Sequence, residues 1–305
     1  MNTHHQPVML TEVLEYLLPT PGKVVVDMTL GGGGYSAACL EAGARVIGLD
    51  LDLEAIAGAS ERLSSHGDRF IVRHAAFSNF GAVLDELGIS HADGICMDLG
   101  LSSDQLEDAG RGFSHQAAGP FDLRFDSSRG VSAAQRLRHA SLSQIQTWLS
   151  EYGEVRVAGR VARALHDLAK EGDSLSADSV RNRILSVLPR GAKQEAELAR
   201  IFQAFRILVN DEMGELEAAL QEVPARLRSG GRFVAVSYHS LEDRRVKAMM
   251  RRESRGAQGS RHLPPVHERA RRLRVLTPRP VRPSSEEIRR NPRARSARLR
   301  AAEGL

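Results

Sequence analysis

The chain has 305 residues, 42% of them hydrophobic and 26% charged, enough apolar material for one large core or two smaller ones. No apolar stretch is long enough to cross a bilayer, and Cys39 and Cys96 offer neither a metal-binding spacing nor a disulfide framework. The net charge is only +4, but arginines crowd the C-terminal third, where "DRRVKAMMRRESRGAQGSRH" and "RRLRVLTPRPVRPSSEEIRRNPRARSARLR" favour a phosphate-bearing partner, while 5% aromatic content argues against broad base-stacking platforms.

The start, "MNTHHQPVML", lacks the basic flank and apolar core of a secretory signal, and two isolated thiols suit a reducing compartment. The expectation is a cytoplasmic protein. "KVVVDMT" then reads as a strand, followed by four glycines and a helix, "YSAACLEAG", that stops at Gly43. "ARVIGLD", "RFIVRHAAF" and "ADGICMDLG" are three more strands, separated by the helical spacings of "LEAIAGASERLSS" and "FGAVLDELGI". Near-continuous apolar strands alternating with helices predict a parallel sheet covered on both faces.

From about Gly112 to Asn210 no strand is expected. "EVRVAGRVARALHDLAK" puts Ala158, Val161, Leu165 and Leu168 on one helical face, "SADSVRNRILSVL" opens with Ser176 as an N-cap, and "QEAELARIFQAFRILV" is again amphipathic. The alternation resumes with the helix "DEMGELEAALQEVPARL", a stop at "SGG", the strand "RFVAVSYHS" and two short strands, "LRVLT" and "SARLRAA". The reading is a doubly wound α/β domain, residues 1–108 and 208–305, with an all-helical insertion over 109–207.

Ligands on such sheets bind beyond the carboxyl ends of the strands. There, Gly31 and Gly33 allow a tight turn and close backbone approach at a helix start, and Asp50 closes the second strand, placed to accept the ribose hydroxyls of an adenosine. This suits a nicotinamide cofactor or S-adenosylmethionine. Asp27, ahead of the glycines, tips the balance to the latter, since a carboxylate repels pyrophosphate but favours a cationic amino-acid end. No metal-ligand cluster is evident.

In order and spacing, "HHQPVML", "DMTLGGGGYS", "GLDLD", "MDLGLSSDQLED", "RGFS", "GPFDLRFD", "GEVR", "FQAFRILVN", "GGRFVAVSYHSLEDR" and "NPRARSARLR" resemble the RsmH (MraW) family over nearly the whole chain. The resemblance implies a class I, Rossmann-like S-adenosylmethionine methyltransferase domain with a helical insertion. It also implies methylation of the N4 amine of a cytidine in the decoding centre of 16S rRNA, within the small ribosomal subunit. Tyr35 stands where the family usually has histidine, and Leu123 and Phe125 replace methionines. Carried over by motif, Gly33, Gly34 and Tyr35 surround the methionine moiety, Asp50 holds the ribose and Phe77 lines the adenine. Asp98 and Gln105 complete the cofactor set.

An exocyclic amine conjugated to its ring is a poor nucleophile, so the chemistry calls for alignment with the donor methyl and an acceptor for its N–H bonds. Candidate acceptors are Asp98, Ser102, Ser103 and the "SYHS" segment with His239, a residue equally readable as a structural histidine. Two rivals stay open: an enzyme acting on DNA cytosine, and a non-catalytic RNA-binding assembly factor on the same fold.

Overall fold

The computed structural model describes residues 7–102, 105–106, 108–114, 118–171, 175–191, 193–255 and 270–305. It divides into two compact units, Met1–Gly100 with Gly214–Leu305, and Leu101–Met213.

In the first unit, β1 (Val24–Asp27), β2 (Arg45–Asp50), β3 (Phe70–His74), β4 (Ala92–Asp98), β5 (Leu227–Ser237), β6 (Leu273–Val275) and β7 (Arg298–Gly304) form one sheet in the order β3-β2-β1-β4-β5-β7-β6. The first five strands run parallel, and β7 lies antiparallel between β5 and β6. This is the Rossmann-like class I methyltransferase arrangement that the resemblance implied. Strand alternation splits the apolar runs between the faces. Val25, Cys96, Val234 and Val236 pack with Val13 and Leu17 of α1 (Leu10–Leu17) and Cys39 and Leu40 of α2 (Gly34–Glu41). Val26, Ile47, Ile95 and Phe233, the alternate residues, are equally buried. Both thiols lie inside, where burial pushes Cys39 up to about 12 and Cys96 well above the ordinary thiol range.

Helices α3 (Leu53–Leu63) and α4 (Phe80–Glu86) complete the first half. α1 was not foreseen, although Leu10, Val13, Leu14 and Leu17 carry helical spacing. The "SGG" stop is also corrected. Those residues lie within β5, where five residues advance against two of β4 between the pairs Ala92–Leu227 and Gly94–Arg232. Gly230, at φ +75°, lets the strand bulge without ending it.

The second unit holds α5 (Ala133–His139), α6 (Leu142–Glu151), α7 (Ala158–Lys170), α8 (Ala177–Val187) and α9 (Gln194–Val209). Phe121 meets Phe202 and Phe205 edge to face, at 5.4 and 5.2 Å between ring centroids. Leu137, Ile145, Leu149, Val161, Leu165 and Ile184 fill the rest of that core. Ser132, Ser141 and Ser176 each cap a helix through a reciprocal capping box, the last as expected. Buried Arg206 and Glu212 form a two-pronged ion pair at 2.6 and 2.9 Å. The chain returns to the first unit through α10 (Glu212–Arg226), and α11 (Ser240–Arg255) and α12 (Ser285–Arg290) follow. Among the described residues, no helix is long and apolar enough to cross a membrane.

Candidate active site

Three carboxylates end three adjacent strands: Asp27 on β1, Asp50 on β2 and Asp98 on β4. They differ in what surrounds them. Asp27 is 1% exposed; its Oδ2 accepts from Ser36 Oγ at 2.7 Å and its Oδ1 from the Thr29 N–H at 3.3 Å. Burial lifts it to about 6 despite those bonds. Asp27 is thus buried, with one oxygen taken by the Ser36 hydroxyl and the other by the Thr29 N–H.

Asp50 organises the glycine turn. Its Oδ2 accepts from Gly31 N–H at 2.7 Å and its Oδ1 from Asp52 N–H at 2.9 Å. A carboxylate has about four acceptor positions, so each oxygen keeps capacity for a further donor. Burial raises this group too. The Ala75 N–H donates to the Asp50 carbonyl at 3.0 Å, so β3 leaves beside Asp50 and brings half-buried Phe77 past the same strand ends.

The four glycines do two jobs. A Cβ on Gly34 would stand 2.1 Å from the Pro7 ring, and Gly33, at φ +73°, forms the left-handed N-cap of α2. These two serve the packing of the protein itself. Gly32 has nothing within 4 Å of its missing Cβ, so its side of the loop is open to a ligand. Tyr35 turns inward, 4% exposed, with its hydroxyl donating to the Val8 carbonyl.

Asp98 is the more accessible acid of the interior pair it forms with Asp27. Its backbone N–H donates to Thr29 Oγ1 at 2.6 Å, and its Oδ1 accepts from the Tyr238 hydroxyl at 2.8 Å. Burial, reinforced by the charges of Asp27 and Glu242, raises it to about 7, while the Tyr238 bond pulls the other way. Ser36, Asp27, Thr29, Asp98 and Tyr238 thereby form one polar chain across β1, β4 and the end of β5.

His239 caps α11. Its Nδ1 accepts from the Glu242 N–H at 3.4 Å, and buried Glu242 Oε2 accepts from the N–H groups of Tyr238 and His239 at 2.8 and 3.2 Å. This is a capping box with histidine in the serine position, and it places the imidazole in a structural role. In the second unit, Ser102 and Gln105 make another: Ser102 Oγ accepts from the Gln105 N–H and Gln105 Oε1 from the Ser102 N–H, both at 3.1 Å. Ser103 lies outside the described residues. Gly33, Gly34, Tyr35, Asp50, Phe77, Asp98 and His239 all lie at or just beyond the carboxyl ends of the parallel strands of the first unit, whereas Ser102 and Gln105 pair with each other in the second.

Thr29 and Ser36 carry polar roles that the sequence reading did not name, and Tyr238 was named only within the "SYHS" segment. Only Tyr238 had a usable signal, a hydroxyl immediately beyond an apolar strand.

A family model described as the MraW methylase family matches residues 2–305. Ribosomal RNA small subunit methyltransferase H of Sinorhizobium medicae (strain WSM419) is 46% identical over 298 residues, 97% of this chain and 86% of that protein. The protein of the same name from Geobacter sulfurreducens is 44% identical, with 100% of both chains covered. Among solved structures, a rRNA methylase from Streptococcus thermophilus gives a TM-score of 0.44 at 12% identity, covering 97% of this chain and 93% of that one.

Proposed function

The chain belongs to the MraW methylase family, and from that premise we propose that it methylates the N4 amine of a cytidine in the decoding centre of 16S rRNA in the small ribosomal subunit. S-adenosylmethionine supplies an electrophilic methyl group carried on a sulfonium. The residues present fit it. Asp50 has acceptor capacity left for ribose hydroxyls, Gly32 leaves backbone open, and Phe77 offers an apolar ring to adenine. Asp27 and Asp98, both raised by burial, are the groups a cationic ligand would relieve.

Asp98 carries the reading. It ends β4 at the ligand side of the sheet, partly accessible, with Oδ1 fixed by Tyr238 and the rest of the carboxylate uncommitted to that bond. A carboxylate held there can accept an N–H of the amine and aim its lone pair. With its pKa near 7, it is also matched to taking up the proton that N-methylation releases. His239 and Ser102, occupied in capping boxes, are weaker candidates for that role.

The test is to incubate the protein with methyl-labelled S-adenosylmethionine and small subunits from a strain lacking its own copy, then map the label. Label on a single 16S cytidine N4 is expected. Label on DNA, or none on RNA, would reject the reading. Asp50→Ala should weaken S-adenosylmethionine binding at least about tenfold by calorimetry, since bonds to a charged acceptor are worth roughly 1.5–3 kcal/mol each. Unchanged affinity would remove the ribose assignment.

A further inference from the structure

Many cations of the C-terminal third are paired within the chain. Arg298 and Arg300 close on Asp243, with contacts at 3.2 and 2.6 Å. Arg252 and Arg272 close on buried Glu253, Arg274 on Glu303, Arg245 on Glu217 and Arg290 on Glu286. Their charge is met within the chain, and it ties the last strands and helices together.

The outer face of α11 is different. Lys247, Arg251 and Arg255 are exposed at intervals of four residues, so they line one face over roughly 12 Å at 1.5 Å per residue. None of the three has an ion pair or side-chain hydrogen bond among the described residues. The acids of this helix, Glu242, Asp243 and Glu253, are buried on its other side. A shallow cavity of about 430 Å³ runs along the stripe, lined by Arg244, Lys247, Ala248, Arg251, Arg252 and Arg255. Like charges four residues apart repel and weaken a helix. A stripe that keeps this repulsion is complementary to a polyanion laid along it. Exposed large apolar side chains occur at Leu18, Leu53, Val131 and Leu305, none of them on α11, so the face lacks the apolar half that an interfacial helix inserts into lipid.

We propose that the Lys247–Arg251–Arg255 face of α11 binds the sugar–phosphate backbone of the RNA substrate, positioning it by charge and not by base sequence. The proposal rests on the RNA-methylating function proposed above and names the surface that serves it. Arg290, already held by Glu286, is a poorer phosphate ligand than these three.

The test compares the parent with K247Q/R251Q/R255Q, titrating a small-subunit rRNA transcript over a range of salt concentrations. Each lost phosphate contact should flatten the slope of log K against log salt by about 0.7–0.9, so a change of about 2 to 3 is expected, with affinity down at least about tenfold near 0.1 M salt. S-adenosylmethionine affinity should be unchanged and Tm not lowered, because the three side chains hold no structural bond among the described residues. The charge-keeping variant K247R/R251K/R255K should retain the parental slope. The proposal falls if the neutral variant keeps the parental slope while the parent binds RNA. It also falls if the charge-keeping variant loses as much, or if only binding to anionic phosphatidylglycerol vesicles is lost. A parent with no salt-dependent RNA affinity would instead overturn the RNA-methylating reading itself, and the proposal with it.

Discussion

At Asp98, alignment and charge can be separated by substitution. Asp98→Ala removes an acceptor that nothing nearby replaces, and misplacement by about an ångström costs on the order of a hundredfold in rate. Single-turnover methylation at saturating cofactor should fall by at least that much. Asp98→Asn keeps the shape and one acceptor oxygen but cannot take a proton at neutral pH; retained activity would assign the group to positioning, and equal loss to its charge. Tyr238→Phe asks the same question from the other side of the bond. The phenol lowers the pKa of Asp98, so deleting it should raise that pKa above about 7. The acid limb of the single-turnover rate against pH should then move to higher pH while the ring stays packed against Gly100. An unmoved limb would show that the titrating group is another residue.

At the scale of elements, legibility followed burial. The strands buried on both faces announce themselves as apolar runs, and their acid-terminated ends could be located because chain direction fixes where a parallel sheet binds. Short elements fared worse. α5 and α6 begin with Ser132-x-x-Gln135 and Ser141-x-x-Gln144, capping boxes readable in the sequence but not read. The "SGG" bulge was hidden because glycine serves a helix stop and a bulge equally well. The division of labour among the glycines was not legible either, since it depends on Pro7 arriving from outside the loop. It makes a paired prediction. Gly34→Ala drives a Cβ into the Pro7 ring, 2.1 Å away, so overpacking of roughly 1–3 kcal/mol should outweigh the helix propensity gained, and Tm should fall. Gly32→Ala meets no protein atom within 4 Å; Tm should hold while S-adenosylmethionine affinity drops. If both variants bind cofactor as the parent does, the open side of the loop is not the ligand's side.

Across the whole molecule, the raised carboxylates of the strand ends make stability depend on pH in an unusual sense. Asp98 and Asp27 have ordinary values of 3.8 but titrate at about 7 and about 6 in the fold. Between about pH 4 and pH 7 the native state therefore holds protons that the unfolded chain has released, and linkage makes stability decline as pH rises through that window. Acids with lowered values, such as Asp243, for which burial is outweighed by Arg300 and Arg298, lose their contribution as pH falls below about 5, so they oppose the decline only at the acid edge of the window. A tenfold change in proton affinity corresponds to about 1.4 kcal/mol, so the two groups together make this a contribution of several kcal/mol at most. In the absence of cofactor, Tm should fall from pH 4 to pH 7, and Asp98→Asn should flatten the decline because its amide does not titrate. A cationic ligand favours the ionised carboxylates, so the rise in Tm on adding S-adenosylmethionine should grow with pH over the same range and grow less in the asparagine variant. Thermal unfolding of parent and variant with and without cofactor measures both slopes. Parallel curves for the two proteins would mean that Asp98 ionises no differently in the fold than in the open chain, and the electrostatic fit of this site to a sulfonium would lose its basis.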